Sequence, residues 1–139
     1  MQKTRNLPKI KIQKSFSDKV LETLGWVGLI VLWTLLMLNY NTTPDEVPIH
    51  FNLSGTADAY GGKLFLFFIP VVSTVLYVGI TLLNRIPHTF NYPVKIDDTN
   101  AKAMYTKATR MMRFLKFSIV VVFGFIQYAM LSDEFSQRY

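Results

Sequence analysis

No cysteine occurs in the 139 residues, which excludes disulfides and thiolate metal sites. Histidine is nearly absent, with only His50 and His88, so a zinc centre would lack its usual three or four N or S ligands. Charge is missing from long stretches. Thr23 to Thr43, Leu64 to Asn84 and Phe117 to Ser132 contain no Asp, Glu, Lys or Arg. The first two runs match the ~20 residues that a helix needs to cross a bilayer core. The third spans only ~24 Å as helix, and Lys116 at its edge can lift its ammonium to the interface to extend it.

The spans also lack ionisable groups except near their ends, where Glu22 and Lys116 sit. Transporters and proton relays keep carboxylates or histidines at membrane depth, so that class is not expected. Trp33, Thr34, Ser73, Thr74, Gly79, Gly124 and Gln127 read instead as helix packing and polar contacts between helices. Pro70 is expected to kink or loosen the start of the second span. Trp26 and Tyr40 suit the two membrane interfaces.

What is present is basic charge, strongly segregated. Lys3, Arg5, Lys9, Lys11, Lys14 and Lys19 precede the first span, and Arg85, Lys95, Lys102, Lys107, Arg110 and Arg113 lie between the second and third. The loop between the first two spans has Lys63 alone, and the tail has Arg138 alone. Basic loops stay on the cytoplasmic side, which predicts an N-terminus inside and a C-terminus outside. A basic start also fits a cleaved signal peptide. However, the apolar core exceeds the usual h-region and "LNYNTTPDE" offers no small-x-small cleavage site, so an uncleaved anchor is expected. No nucleic-acid motif accompanies the basic residues, so anionic lipid headgroups, not nucleic acid, are the partners expected for them.

The plan predicted is an all-α membrane protein. It has a basic cytoplasmic segment (residues 1–19) and a single three-helix module (20–139). The helices fall at about 20–40, 64–84 and 114–132, with an outer loop 41–63 and an inner loop 85–113. Lys9-Ile10-Lys11-Ile12 alternates like a short strand, and Asn91–Asp98 is its expected partner in a small inner ribbon. Ala101, Met104, Tyr105, Ala108, Met111, Met112 and Leu115 follow one helix face, capped at its start by Asp97, Asp98, Thr99 or Asn100. Lys102, Lys107, Arg110 and Arg113 lie largely off that face, as a membrane-surface or solvated basic side. The helix is expected to run on into the third span.

The outer loop is the most particular stretch: "DEVPIHFNLSGTADAYGGK", Asp45 to Lys63. Pro44 and Pro48 enforce an extended entry. "VPIHF" reads as a short strand, while "NLSG" and "YGG" read as turns, with Gly55, Gly61 and Gly62 free to take positive φ. Asp58 can cap a turn. His50 and Asp58 offer ligand chemistry for a metal-dependent membrane enzyme, a remote alternative. Ser54 lacks the GxSxG turn and a third partner for nucleophilic catalysis. A His50–Asp58 hydrogen bond that fixes the loop is the simpler use. No catalytic residue, cofactor or metal site is expected.

The combination Pro44, Pro48, His50, Phe51, Asn52, Gly55, Asp58, Tyr60 and Lys63, set between two membrane spans, resembles the N-terminal membrane module of the SdpI-type immunity proteins. The resemblance runs from the first span to the third. It implies a bacterial inner-membrane protein and, in some members, protection against a secreted peptide toxin with signalling to a cytoplasmic regulator. Longer members continue with further membrane helices after the third, which this sequence does not show. The function expected is non-enzymatic recognition or protection at the membrane, with a protein or peptide partner. The alternative is an accessory subunit that packs its helices against a larger membrane complex.

Overall fold

A computed structural model describes residues 7–132. The chain runs α1 (Phe16–Asn39), β1 (Glu46–Phe51), β2 (Ala57–Gly62), a 3-10 turn (Lys63–Phe67), α2 (Phe68–Leu83), a second 3-10 turn (Pro87–Thr89) and α3 (Ala101–Leu131). All three helical segments are long and apolar enough to cross a membrane, the second when its leading 3-10 turn is included. The molecule is a small integral membrane protein, mostly helical, with one two-stranded antiparallel sheet between its first two spans.

Each boundary has a local cause. Ser15 caps α1: its Oγ accepts from the Asp18 backbone N–H at 3.2 Å, and the Asp18 carboxylate accepts from the Ser15 N–H at 2.8 Å. Two orphan donors are satisfied at once. At the other end the Asn39 carbonyl accepts from the backbone N–H groups of Thr42 and Thr43 and from both hydroxyls, so the carbonyl left over by helix geometry is covered. Pro70 is the third residue of α2. Its missing N–H falls in the first turn, where helices tolerate proline, so the kink expected from it is replaced by a 3-10 lead-in.

α3 is continuous over 31 residues, or about 46 Å. Its first turns therefore stand clear of a ~30 Å bilayer core. Ahead of it, Asp97 Oδ1 accepts from the Thr99 N–H and hydroxyl and from the Asn100 N–H. The hydrogen bonds from Thr99 hold the Asp97 carboxyl below the usual carboxylate range. Asn100 is the cap residue, but its own side chain bonds Lys95 O and Asp97 N–H rather than the helix.

The interior has three apolar clusters. At the hairpin end, Leu36, Val47, Leu66, Ile69 and Met130 are buried together. In mid-bundle, Leu29, Leu32, Tyr77 and Val120 meet. At the basic end, Ile96, Ala101 and Tyr105 pack with Leu7, Ile10, Ile12, Tyr92 and Met104. The expected inner ribbon is absent: neither Lys9–Ile12 nor Asn91–Asp98 forms a strand. The two stretches do meet, but through side chains packed on the start of α3. There Tyr92, whose hydroxyl donates to Pro87 O at 2.8 Å, has its phenol pushed up to about 12 by burial.

The expected face of α3 is also corrected. Met111 is 67% and Leu115 46% exposed, whereas Thr109, Arg113 and Lys116 join Ala101, Tyr105 and Val120 in the buried stripe. Of the expected face Ala101 and Tyr105 are buried, but from Thr109 to Lys116 polar side chains take the inward positions while Met111 and Leu115 face outward. Thr34, expected between helices, is exposed. By contrast, Trp33 Nε1 donates to Thr74 Oγ1 at 3.1 Å, and Gln127 Nε2 to Leu32 O at 2.8 Å.

Candidate functional site

The hairpin end carries the sequence motif, and nearly every motif residue has a place in building it. Val47 and Pro48 are buried, and Phe51 packs on the hairpin-end core. The ladder pairs Glu46 with Gly62, Val47 with Gly61 and Pro48 with Tyr60, then slips twice before Phe51 meets Ala57. The slips fall beside Pro48, which cannot donate to a regular ladder. They set His50 opposite Ala59, and the His50 side chain reaches the neighbouring Asp58, with Nδ1 and Oδ1 2.5 Å apart. Both side chains are exposed. Gly61 and Gly62 lie in β2, not in a positive-φ turn as expected; of the described glycines only Gly55 has positive φ, +76°.

That glycine sits in a densely hydrogen-bonded turn. Asn52 Oδ1 accepts from the Ser54 and Thr56 N–H groups, at 3.0 Å each, and from the Ser54 hydroxyl at 2.6 Å. The Asn52 backbone closes the loop, donating to Thr56 O and accepting from the Gly55 N–H. The left-handed φ that this turn needs suits glycine. Leu53 stands fully exposed on it. At the hairpin base, Lys63 clasps the two ends: its N–H donates to Asp45 O at 2.8 Å, its ammonium lies 3.1 Å from Asp45 Oδ1, and it stands over the Tyr40 ring. Pro44 is exposed. His88 lies in the 3-10 turn after α2, at the opposite end from His50.

That opposite end holds an arrangement the sequence did not reveal. Asp18 and Glu22, one turn apart on α1, face Arg110, Arg113 and Lys116 on α3. Arg113 Nη1 is 3.3 Å from Asp18 Oδ1, Arg110 Nε is 3.5 Å from Asp18 Oδ2, and Lys116 Nζ is 3.0 Å from Glu22 Oε2. Lys116 Nζ also donates to Thr81 Oγ1 on α2 at 2.6 Å and sits 4.2 Å from the centroid of the Tyr77 ring. The Tyr77 hydroxyl in turn donates to Glu22 O at 2.9 Å. All three helices are joined here. Arg113 is 3% and Lys116 1% exposed, so Arg113 is corrected from a membrane-surface cation to an interior one. Arg110 pairs at the edge, while Lys102 and Lys107 are exposed. The available signal was the spacing itself. Asp18 and Glu22 at i, i+4, and Arg113 and Lys116 at i, i+3, each share a helix face.

Next to this network is a cavity of about 380 Å³ walled by Lys11, Lys14, Glu22, Asn84, Arg85 and Arg113, with Ile10, Ile12, Thr81 and Pro87 completing it.

Comparison with known proteins places the hairpin in context. Residues 27–74, from within α1 to within α2, match a family described as a domain of unknown function (DUF1648). An uncharacterized protein of Archaeoglobus fulgidus is 31% identical over 85 residues, covering 55% of this chain and 46% of that protein. The chain thus spans about half the length of that relative. No solved structure matches. The chain is, on these grounds, a small membrane protein of unknown function similar to DUF1648 over residues 27–74, the hairpin and the span halves that flank it.

Proposed function

We propose that this protein is a non-enzymatic recognition protein of a prokaryotic cytoplasmic membrane, with its hairpin outside and both the N-terminus and the α2–α3 connection inside. The orientation follows from the distribution of lysine and arginine. One observation carries the recognition reading: a turn held by three hydrogen bonds to Asn52 Oδ1 presents Leu53 fully exposed. An apolar side chain on a pre-ordered turn loses little entropy when a partner covers it. Protection against a secreted peptide toxin, which the SdpI-type resemblance implies for some members, is one form of such recognition.

The test is a photo-crosslinking amino acid at position 53, irradiated in native membranes, with a second probe at exposed Lys107 as reference. Recognition by the hairpin gives a protein or peptide adduct of discrete mass at position 53 and none at 107. Adducts with lipid alone at both positions refute it. The accessory-subunit reading is favoured by a separate feature, an apolar groove of about 590 Å³ between α1 and α3 walled by Val27, Val31, Val121 and Phe125. Crosslinks from Phe125 to a stable membrane protein, with none from position 53, would select it instead.

A further inference from the structure

The cavity at the basic end lies outside the hairpin reading and is built unlike the rest of the bundle. Its wall carries four cationic side chains, Lys11, Lys14, Arg85 and Arg113, against the one carboxylate of Glu22. That carboxylate is already engaged: Lys116 Nζ holds one oxygen, while Arg113 Nε and Lys14 Nζ approach the other at 3.3 and 3.9 Å. Asp18 is taken by Arg113, Arg110 and the α1 cap. Among the described residues, Lys11 and Arg85 have no acidic partner, and both are exposed at the cavity mouth.

Two groups in the same wall are unsatisfied. Arg113 Nε, on a side chain 3% exposed, makes no hydrogen bond, although Glu22 Oε1 lies 3.3 Å away as an ionic neighbour. Asn84 Oδ1 is buried without a donor, while its amide nitrogen reaches only a distant carbonyl, Thr109 O at 3.4 Å. An unmade hydrogen bond on a buried charged group is costly. The missing complement is therefore an anion that accepts from arginine and lysine and also carries a hydroxyl to donate to Asn84. Cations alone would meet Arg85 and Lys11, and an apolar group would leave both orphans unmet.

We propose that this cavity binds a hydroxyl-bearing phosphate, with Arg85, Lys11 and Lys14 receiving its charge, Arg113 Nε donating to a phosphate oxygen and Asn84 Oδ1 accepting from the hydroxyl. A phospholipid headgroup with a free alcohol and inorganic phosphate share this chemistry. The volume suits one such group, at the lower end of small-ligand pockets of roughly 300–1,000 Å³.

The test is calorimetric titration of the full chain in neutral detergent with three probes: dihexanoyl phosphatidylglycerol, dihexanoyl phosphatidylcholine and inorganic phosphate. Two double variants accompany the wild type, Lys11→Gln with Arg85→Gln at the mouth, and Lys102→Gln with Lys107→Gln on the α3 surface. All four side chains are exposed, so folding is not at stake. The phosphatidylglycerol probe is expected to bind about tenfold tighter than phosphatidylcholine, and the mouth variant to lose about tenfold, as charge-assisted hydrogen bonds imply. The surface variant should stay within about twofold, because exposed charges that far out are screened. Phosphate binding that competes with phosphatidylglycerol identifies the free ion as sufficient; phosphatidylglycerol binding without phosphate binding identifies the lipid headgroup. Equal binding of the two lipids with no response to phosphate overturns the proposal. So does an equal loss in the surface variant, which would mean diffuse attraction rather than a site.

Discussion

The two ends of this bundle are ordered by opposite means. At the hairpin, partners are close in sequence and exposed: Asn52 with Ser54 and Thr56, His50 with Asp58. At the basic end they are distant and buried, with Glu22 and Lys116 separated by 94 positions. Exposed pairs near one another cost little to leave unmade, because water replaces the lost partner. Buried charges have no such substitute. The hairpin is thus a local folding unit set on the bundle, whereas the charged network holds the three helices in register.

That contrast can be broken most forcibly at Glu22. Glu22→Leu strands Lys116 and relieves Arg113 of one partner, and is expected to cost about 3–5 kcal/mol by detergent unfolding. Adding Lys116→Met should recover most of the loss; no recovery would mean the pair does not act as a unit. Next in size is Gly25→Ala, because a Cβ there collides with the Tyr77 ring whose hydroxyl anchors Glu22 O. A loss of about 1–3 kcal/mol is expected, checked by the same unfolding measurement and by the reduced solvent protection of Trp26, which packs edge-on to Tyr77.

At the hairpin the effects shrink. Gly55→Ala should cost about 1–2 kcal/mol, the penalty for a side chain in the left-handed region, and should leave the helices intact by circular dichroism. His50→Ala and Asp58→Ala are each expected to cost under about 1 kcal/mol, since both groups are exposed, with the double variant less than additive. A large single loss would show that the hairpin, too, is a pillar of the bundle.

Smallest of all is the pH response of the turn before α3. Asp97 has a depressed folded pKa, so its contribution is present above the usual carboxylate range and disappears as pH falls through the lower folded value. The protection of the Thr99 and Asn100 amides, as exchange relative to the intrinsic rate at each pH, should fall there and stay flat with pH in Asp97→Asn.

These contrasts follow how the sequence could be read. Three spans were visible because uncharged runs of bilayer length have few other uses. The Asn52–Gly55 turn and the His50–Asp58 bond are legible because their partners lie within eight residues, and the strand "VPIHF" because its β-branched and aromatic residues alternate. The second strand was missed because "ADAYGG" carries turn residues, and only pairing with β1 makes it extended. The inward face of α3 departs from the apolar spacing only from Thr109 on, for a different reason. The apolar stripe of a helix points to a core when the surroundings are water; in a bilayer Met111 and Leu115 can face lipid while Arg113 and Lys116 turn to Asp18, Glu22 and Thr81 on the neighbouring helices.

The sequence by itself therefore determined what the chain must do with its apolar mass and where its backbone must turn. Both depend on neighbours a few residues away or on the solvent as a whole. Only tertiary structure decided that Asp18 and Glu22 would meet Arg113 and Lys116, and that a cationic cavity with two unmet polar atoms would remain beside them. Burial raises the strength of charge pairing and the cost of leaving it incomplete. Which charges are buried together depends on how the three helices are rotated against one another.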